Sequence, residues 1–209
     1  MPKQYLIAFS GTHGTGKSTT IKNLVSSRDD MFEDPLKVSR KVQTLLGYEK
    51  LEEAYKTPKR MIEFQELILE QKIIGDNGVV RLTNKPIILT ERSYLDIAAY
   101  ALQWSLRVIE KCRLTAMGTQ QITDWYLQYE KRCLNEMKRY DGLVFVYPLT
   151  LIEFEAENNR ADLKSRDFIH SRISDYVSRL EIPITILEID SVHTRIVRCN
   201  NFITNLIGK

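Results

Sequence analysis

Gly11-Thr12-His13-Gly14-Thr15-Gly16-Lys17-Ser18 matches the pattern G-x-x-x-x-G-K-[ST] at every fixed position. The composition follows from what such a loop must do. Successive backbone N–H groups have to turn inward toward an anion, and glycine permits angles and close approaches that a Cβ would block. A helix starting near Lys17 would add its positive end. Lys17 supplies a mobile point charge for β- and γ-phosphates. Ser18 offers a hydroxyl to Mg²⁺, which takes few protein ligands and completes its shell with phosphate and water. The expected nucleotide contacts are therefore Gly11, Thr12, His13, Gly14, Thr15, Gly16, Lys17 and Ser18, with Thr19 following. His13 occupies a variable position of the pattern and is read as a spectator rather than a catalyst.

The motif carries weight only between a strand and a helix, and both are present. Tyr5-Leu6-Ile7-Ala8-Phe9-Ser10 is a short apolar run that reads as a buried parallel strand. Lys17 to about Ser27 places Ile21, Leu24 and Val25 on one helical face. Further along, Pro86–Thr90, Gly142–Tyr147 and Ile184–Ile189 read as three more clear strands, and Phe32-Glu33-Asp34-Pro35 ends a weak one. Between them helices are expected over 37–46 (stopped by Gly47), 58–74, 94–112, 120–138, 165–180 and from 191 onward. Gly75-Asp76-Asn77-Gly78 reads as a turn. The alternation predicts an α/β protein: a P-loop NTPase fold with a central parallel sheet of about five strands, helices on both faces and a small lid.

The bulk numbers agree with one domain over 1–209, the lid lying at about 149–167. The chain has 209 residues, 43% hydrophobic, with a formal net charge of only +3. That excludes a broad electrostatic field for duplex DNA, though not a local basic cleft. Cys112, Cys133 and Cys199 are scattered and odd in number, so they read as reduced thiols rather than a zinc site or disulfide framework. The apolar run after Met1 is too short for a signal segment or membrane span, and a cytoplasmic protein is expected. Trp104 and Trp125 fall within helical patterns and read as packing residues.

The residues after the third strand narrow the class. A GTPase would carry Asn-Lys-x-Asp after a strand; Thr83-Asn84-Lys85-Pro86 lacks the aspartate and precedes its strand. A motor or AAA-type ATPase would end an apolar run in Asp-Glu, whereas here the chain reads Ile88-Leu89-Thr90-Glu91-Arg92-Ser93. Glu91-Arg92-Ser93, with Asp96 and Tyr100 after it, resembles the Glu-Arg-Ser or Asp-Arg motif of nucleoside and nucleoside-monophosphate kinases. These include deoxynucleoside kinases, thymidylate kinases and nicotinamide-riboside-kinase-like phage proteins of AAA type.

The resemblance implies roles. Arg92 would contact the transferring phosphoryl group, to which a guanidinium fork is suited. Glu91 would support Mg²⁺, together with Ser18, or the acceptor hydroxyl. Asp34, or its neighbour Glu33, would take the acceptor's proton, with a slight preference for Asp34. Phe64-Gln65 resembles the pair with which deoxynucleoside kinases hold a base; a core phenylalanine beside an exposed glutamine is the plainer reading. Arg160 and Arg166 would close from the lid over the phosphates. Arg40 would bind a phosphate on the acceptor, and Lys41 with it; solvated charges explain them equally.

Together these imply Mg²⁺-dependent transfer of the ATP γ-phosphate to a nucleoside or nucleoside monophosphate. Lys17, Asp34, Glu91, Arg92 and Arg160 would be catalytic. The partners are a small-molecule acceptor and no membrane, with a homodimer left open. Two other readings stand: a kinase acting on a hydroxymethylated pyrimidine in DNA, with the base out of the stack, and an ATP-binding regulatory switch without an acceptor.

Overall fold

The computed structural model describes residues 3–148, 163–188 and 191–208. Five strands, β1 (Tyr5–Ser10), β2 (Met31–Glu33), β3 (Ile87–Glu91), β4 (Gly142–Val146) and β5 (Ile184–Leu187), form one sheet in the order β2-β3-β1-β4-β5. Every pairing is parallel, with Phe9 opposite Glu91, Ser10 opposite Phe145 and Glu33 opposite Leu89. All five strands thus end at the same edge, and the phosphate loop leaves from the central one.

The helices are α1 (Lys17–Ser27), α2 (Val38–Leu45), α3 (Pro58–Val79), α4 (Tyr94–Lys111), α5 (Ala116–Glu136), α6 (Leu163–Val177) and α7 (Val192–Ile207). They divide between the two faces of the sheet. Alternation along each strand sends Leu6, Ala8, Ile88, Leu143 and Phe145 into a core with α2 to α6. Ile7, Phe9, Leu89, Val144 and Val146 face the other way, onto Ile21 and Leu24 of α1 and Cys199 and Ile203 of α7. Two buried faces explain why the strands read as continuous apolar runs rather than alternating ones. The three cysteines are free thiols. Trp104 stacks flat on Tyr55 at 3.4 Å, and the Trp125 indole donates to Glu66 at 2.8 Å, so both serve packing.

Two expected boundaries are corrected. The segment Gly75–Gly78 is not a turn; α3 runs through it to Val79. Lys72 and Asp76, one turn apart and both buried, pair at 2.6 Å, and Tyr140 donates to Asp76 at 2.9 Å. A Cβ on Gly75 would lie 2.3 Å from Leu36 Cδ2, so this glycine serves close packing rather than a bend. Helix α5 begins at Ala116 rather than near 120, because the Thr115 side chain caps it by accepting from Gly118 N. Elsewhere the expected stop at Gly47 holds, with φ +67° just after α2. Of the expected lid, 149–162 lies outside the described residues, and 163–167 opens α6.

Candidate functional site

The loop between β1 and α1 is held from several directions. Gly11 has φ +140°, and a Cβ there would lie 2.4 Å from the Val146 carbonyl oxygen, so the loop starts pressed against the end of β4. Gly14 and Gly16 also take positive φ, 71° and 82°. α1 follows Gly16 without a capping side chain or an acid in its first turn. Its first N–H groups therefore suit an anion. Thr19 is exposed one residue beyond Ser18.

Asp96 anchors the loop's beginning. It is fully buried and accepts from Gly11 N at 3.0 Å, Ser10 Oγ at 2.8 Å, Ser93 N at 2.8 Å and Ser93 Oγ at 3.0 Å. Ser93 and Asp96 form a capping box at the start of α4, so one carboxylate both starts a helix and sets the phosphate loop. Arg92 turns back over the loop with φ +80°, its guanidinium 3.3 Å from the Gly11 carbonyl and 3.4 Å from Asp96. Its guanidinium also lies 4.8 Å from the Tyr100 ring, and Tyr100 shares a 2.9 Å hydrogen bond with His13 Nδ1. His13 is thus tied into the frame that holds Arg92.

On the far side, Arg195 of α7 is buried and donates to the Thr15 carbonyl at 2.6 Å and the Glu188 carbonyl at 2.9 Å. No sequence pattern singles out this residue, which lies 180 positions from its partner. Asp96 was more legible: Ser-x-x-Asp before an apolar run is itself a helix-start signature.

Lys17 is buried and donates to the Thr12 carbonyl and, at 3.0 Å, to Thr15 Oγ1. Burial, with the Arg92 charge second, lowers its pKa from 10.5 to about 7. Between those values the folded chain holds fewer protons than the unfolded one. The burial penalty is therefore greatest below pH 7 and relaxes as pH rises. Phosphates at the loop would raise the pKa again. Binding of ADP at pH 8 is expected to take up close to one proton, and at pH 6 almost none from Lys17. Calorimetric titrations in buffers of different ionisation enthalpy measure this; equal heats in all buffers at pH 8 would contradict it.

Ser18 Oγ donates to Glu91 Oε2 at 2.8 Å, and Lys37 Nζ donates to the same oxygen at 2.8 Å. Burial opposes ionisation of Glu91, but the hydrogen bonds from Lys37 and Ser18 outweigh it and hold the carboxyl below its ordinary range. Among the described residues no cluster of three or more His, Cys, Asp or Glu could hold a metal alone. A serine hydroxyl and a carboxylate are hard oxygen donors, which fits Mg²⁺ shared with phosphates.

The acceptor-side expectations fare unevenly. Glu33 lies 4.0 Å from Lys37 Nζ, so it belongs to the same line as Glu91 and Ser18. Asp34 is buried with both oxygens engaged: Oδ1 accepts from Leu36 N at 2.9 Å and Oδ2 from Thr90 Oγ1 at 2.9 Å. Thr90 Oγ1 accepts in turn from Lys72 at 2.7 Å, which makes Asp34 part of a buried network. Phe64 offers no face to a base: it is fully buried, 5.7 Å from the Tyr55 ring and 6.4 Å from that of Tyr48. Gln65 is buried and reaches Tyr55 Oη at 3.4 Å. Phe64 is core, as its helical periodicity allows, and Gln65 is buried with it rather than exposed. Arg40 is exposed and, with Lys37 and Lys41, lines a groove of 550 Å³ that runs from Asp34 along α2 to Leu82. Arg166 is buried near the start of α6, 3.9 Å from Asp167, while Arg160 lies outside the described residues.

Among the described residues no helix is long and apolar enough to cross a membrane. No curated protein matches the chain. A family model described as an AAA domain matches residues 6–195. Thr90-Glu91 stands where the Asp-Glu expected of an AAA-type ATPase would end the strand. The match spans β3 all the same, so a single carboxylate there is compatible with the family. From the first strand to the arginine that braces the phosphate loop, the chain belongs to the AAA domain family and is a P-loop nucleotide-binding protein.

Proposed function

We propose that this protein is a Mg²⁺-dependent kinase that moves the γ-phosphate of ATP onto a nucleoside monophosphate or nucleoside. The observation that carries the reading is the line Ser18–Glu91–Lys37–Glu33. Nucleotide binding alone calls for one carboxylate near the metal. Here a second carboxylate stands two strands from the phosphate loop, bridged to the first by a lysine, where an acceptor hydroxyl would have to lie.

In this reading Ser18 and, through water, Glu91 hold Mg²⁺. Lys17 and Arg92 neutralise charge on the transferring group, and Arg160 and Arg166 act from the lid side. Glu33 rather than Asp34 takes the acceptor's proton, because both oxygens of Asp34 already accept within the protein. Arg40 and Lys41 form no ion pair among the described residues and line a groove that begins beside Asp34 and Lys37. They supply cationic groups for an acceptor that carries a phosphate, which favours a monophosphate. The protein's part is positioning and electrostatics rather than covalent chemistry.

A screen with γ-labelled ATP tests the proposal against nucleosides, nucleoside monophosphates and DNA containing hydroxymethylated pyrimidines. Label on a monophosphate, reduced at least tenfold by Glu33→Gln, is the expected result. Label on DNA alone would replace the acceptor class. ATP binding with every acceptor unlabelled would overturn the kinase reading in favour of a regulatory switch.

A further inference from the structure

Glu91 Oε2 accepts from two donors at once, the hydroxyl expected to ligate Mg²⁺ and the ammonium of Lys37, each at 2.8 Å. An ammonium group at hydrogen-bond distance from a carboxylate oxygen neutralises it much as a metal-bound water would. Lys37 also has a second anion within reach, since Glu33 Oε1 lies 4.0 Å from Nζ. The lysine side chain is 46% exposed and stands just before the first residue of α2, so its arm can move without disturbing the core. Glu91 sits at the end of β3 and is largely buried, so it is the fixed member of the pair.

From this geometry we infer that Lys37 is a positioning residue with two stations, a stand-in cation on Glu91 that Mg²⁺–nucleotide displaces toward Glu33. The inference rests on the placement of Mg²⁺ in the proposed function but needs no acceptor and no turnover. In the first station the ammonium and the Ser18 hydroxyl hold the same Glu91 oxygen, so the side chains of the site are aligned before the metal arrives. In the second it lies against the acceptor-side carboxylate. The metal therefore competes with a tethered charge, and its apparent affinity is lower than the oxygen ligands alone would give. No bond is made or broken; the exchange is one ion pair for another. A partly exposed pair of this kind sets a modest barrier, about three- to fivefold in metal affinity.

The measurement is ADP affinity by calorimetry, in Mg²⁺ and in EDTA, and the quantity read is the ratio of the two. Lys37→Met is expected to raise that ratio about three- to fivefold. Lys37→Arg, which keeps a cation on Glu91, is expected to stay within about twofold of the native protein. Lys59→Met removes an exposed charge of the same sign from α3, and it has no contact with Glu91 among the described residues. It should also stay within about twofold. An unchanged or lowered ratio in Lys37→Met would overturn the assignment. So would an equal rise in Lys59→Met, which would trace the effect to net charge alone. Absence of kinase activity would leave these binding ratios readable, so failure here and failure of the proposed reaction are separate results.

Discussion

Lys17→Met is expected to lower phosphoryl transfer by about a thousandfold while leaving the fold intact. The reasoning begins with burial. The ammonium is held in the interior by one carbonyl and one hydroxyl, with Arg92 nearby disfavouring its charge. Methionine keeps an unbranched chain of similar size in the same channel and removes that charge. Thermal stability should therefore hold or rise slightly, most visibly below pH 7, where native Lys17 is protonated. Transfer should fail for the opposite reason. Charge that accumulates on the departing and transferring oxygens would lose the Lys17 ammonium and be left to Arg92 and Mg²⁺ alone. Removing one preorganised donor from such a site lowers the rate by about 10²–10³. Single-turnover transfer measured beside a thermal melt separates the two effects. A rate within tenfold of the native protein, with the fold preserved, would mean that the loop does not present its phosphate to Lys17.

The second large effect is on stability. Lys72 and Asp76 are almost wholly buried and 2.6 Å apart. Lys72 also donates to Thr90 Oγ1, which donates to Asp34, and Tyr140 donates to Asp76. Lys72→Met would leave Asp76 with a single donor from that network and a buried negative charge. Breaking one side of a buried pair costs about 3–5 kcal/mol. The same substitution strips Thr90 of a donor beneath the Asp34 turn. Urea denaturation should register the loss as a lower midpoint with an unchanged slope. Lys72→Met combined with Asp76→Leu should recover most of it, because removing both charges leaves none uncompensated. A loss below about 1 kcal/mol for the single variant would show that the pair contributes little in its buried setting.

Much of this architecture was legible in the sequence, because the signals that define it are local. The apolar runs over 5–10, 86–90 and 142–147 predict strands within one residue of the observed limits, and the glycine-rich loop predicts its own flanking geometry. The misreadings share one cause. Gly75-Asp76-Asn77-Gly78 has the local chemistry of a turn, yet α3 continues through it because Lys72, Tyr140 and Leu36 reward the helical path from elsewhere in the chain. Phe64-Gln65 has the spacing of a base platform and of a core stripe alike, and only the packing of Tyr48 and Tyr55 decides between them. Glu33 and Asp34 are neighbours at a strand end. Their side chains diverge, so only one stays with the line from Glu91; which one depends on Thr90, a residue on another strand. Arg195 could not be found at all, since nothing in its surroundings marks a contact with a carbonyl 180 positions away.

That last contact bears on when the protein becomes competent. A growing chain that has emerged as far as β4 already contains the whole glycine motif, with Lys17 and Ser18. It still lacks the guanidinium that fixes the Thr15 carbonyl, because Arg195 lies on α7, beyond β4 in the chain. The brace on the Thr15 carbonyl thus comes only with the packing of α7 beside α1, and the loop's final shape depends on a part of the chain far from the motif.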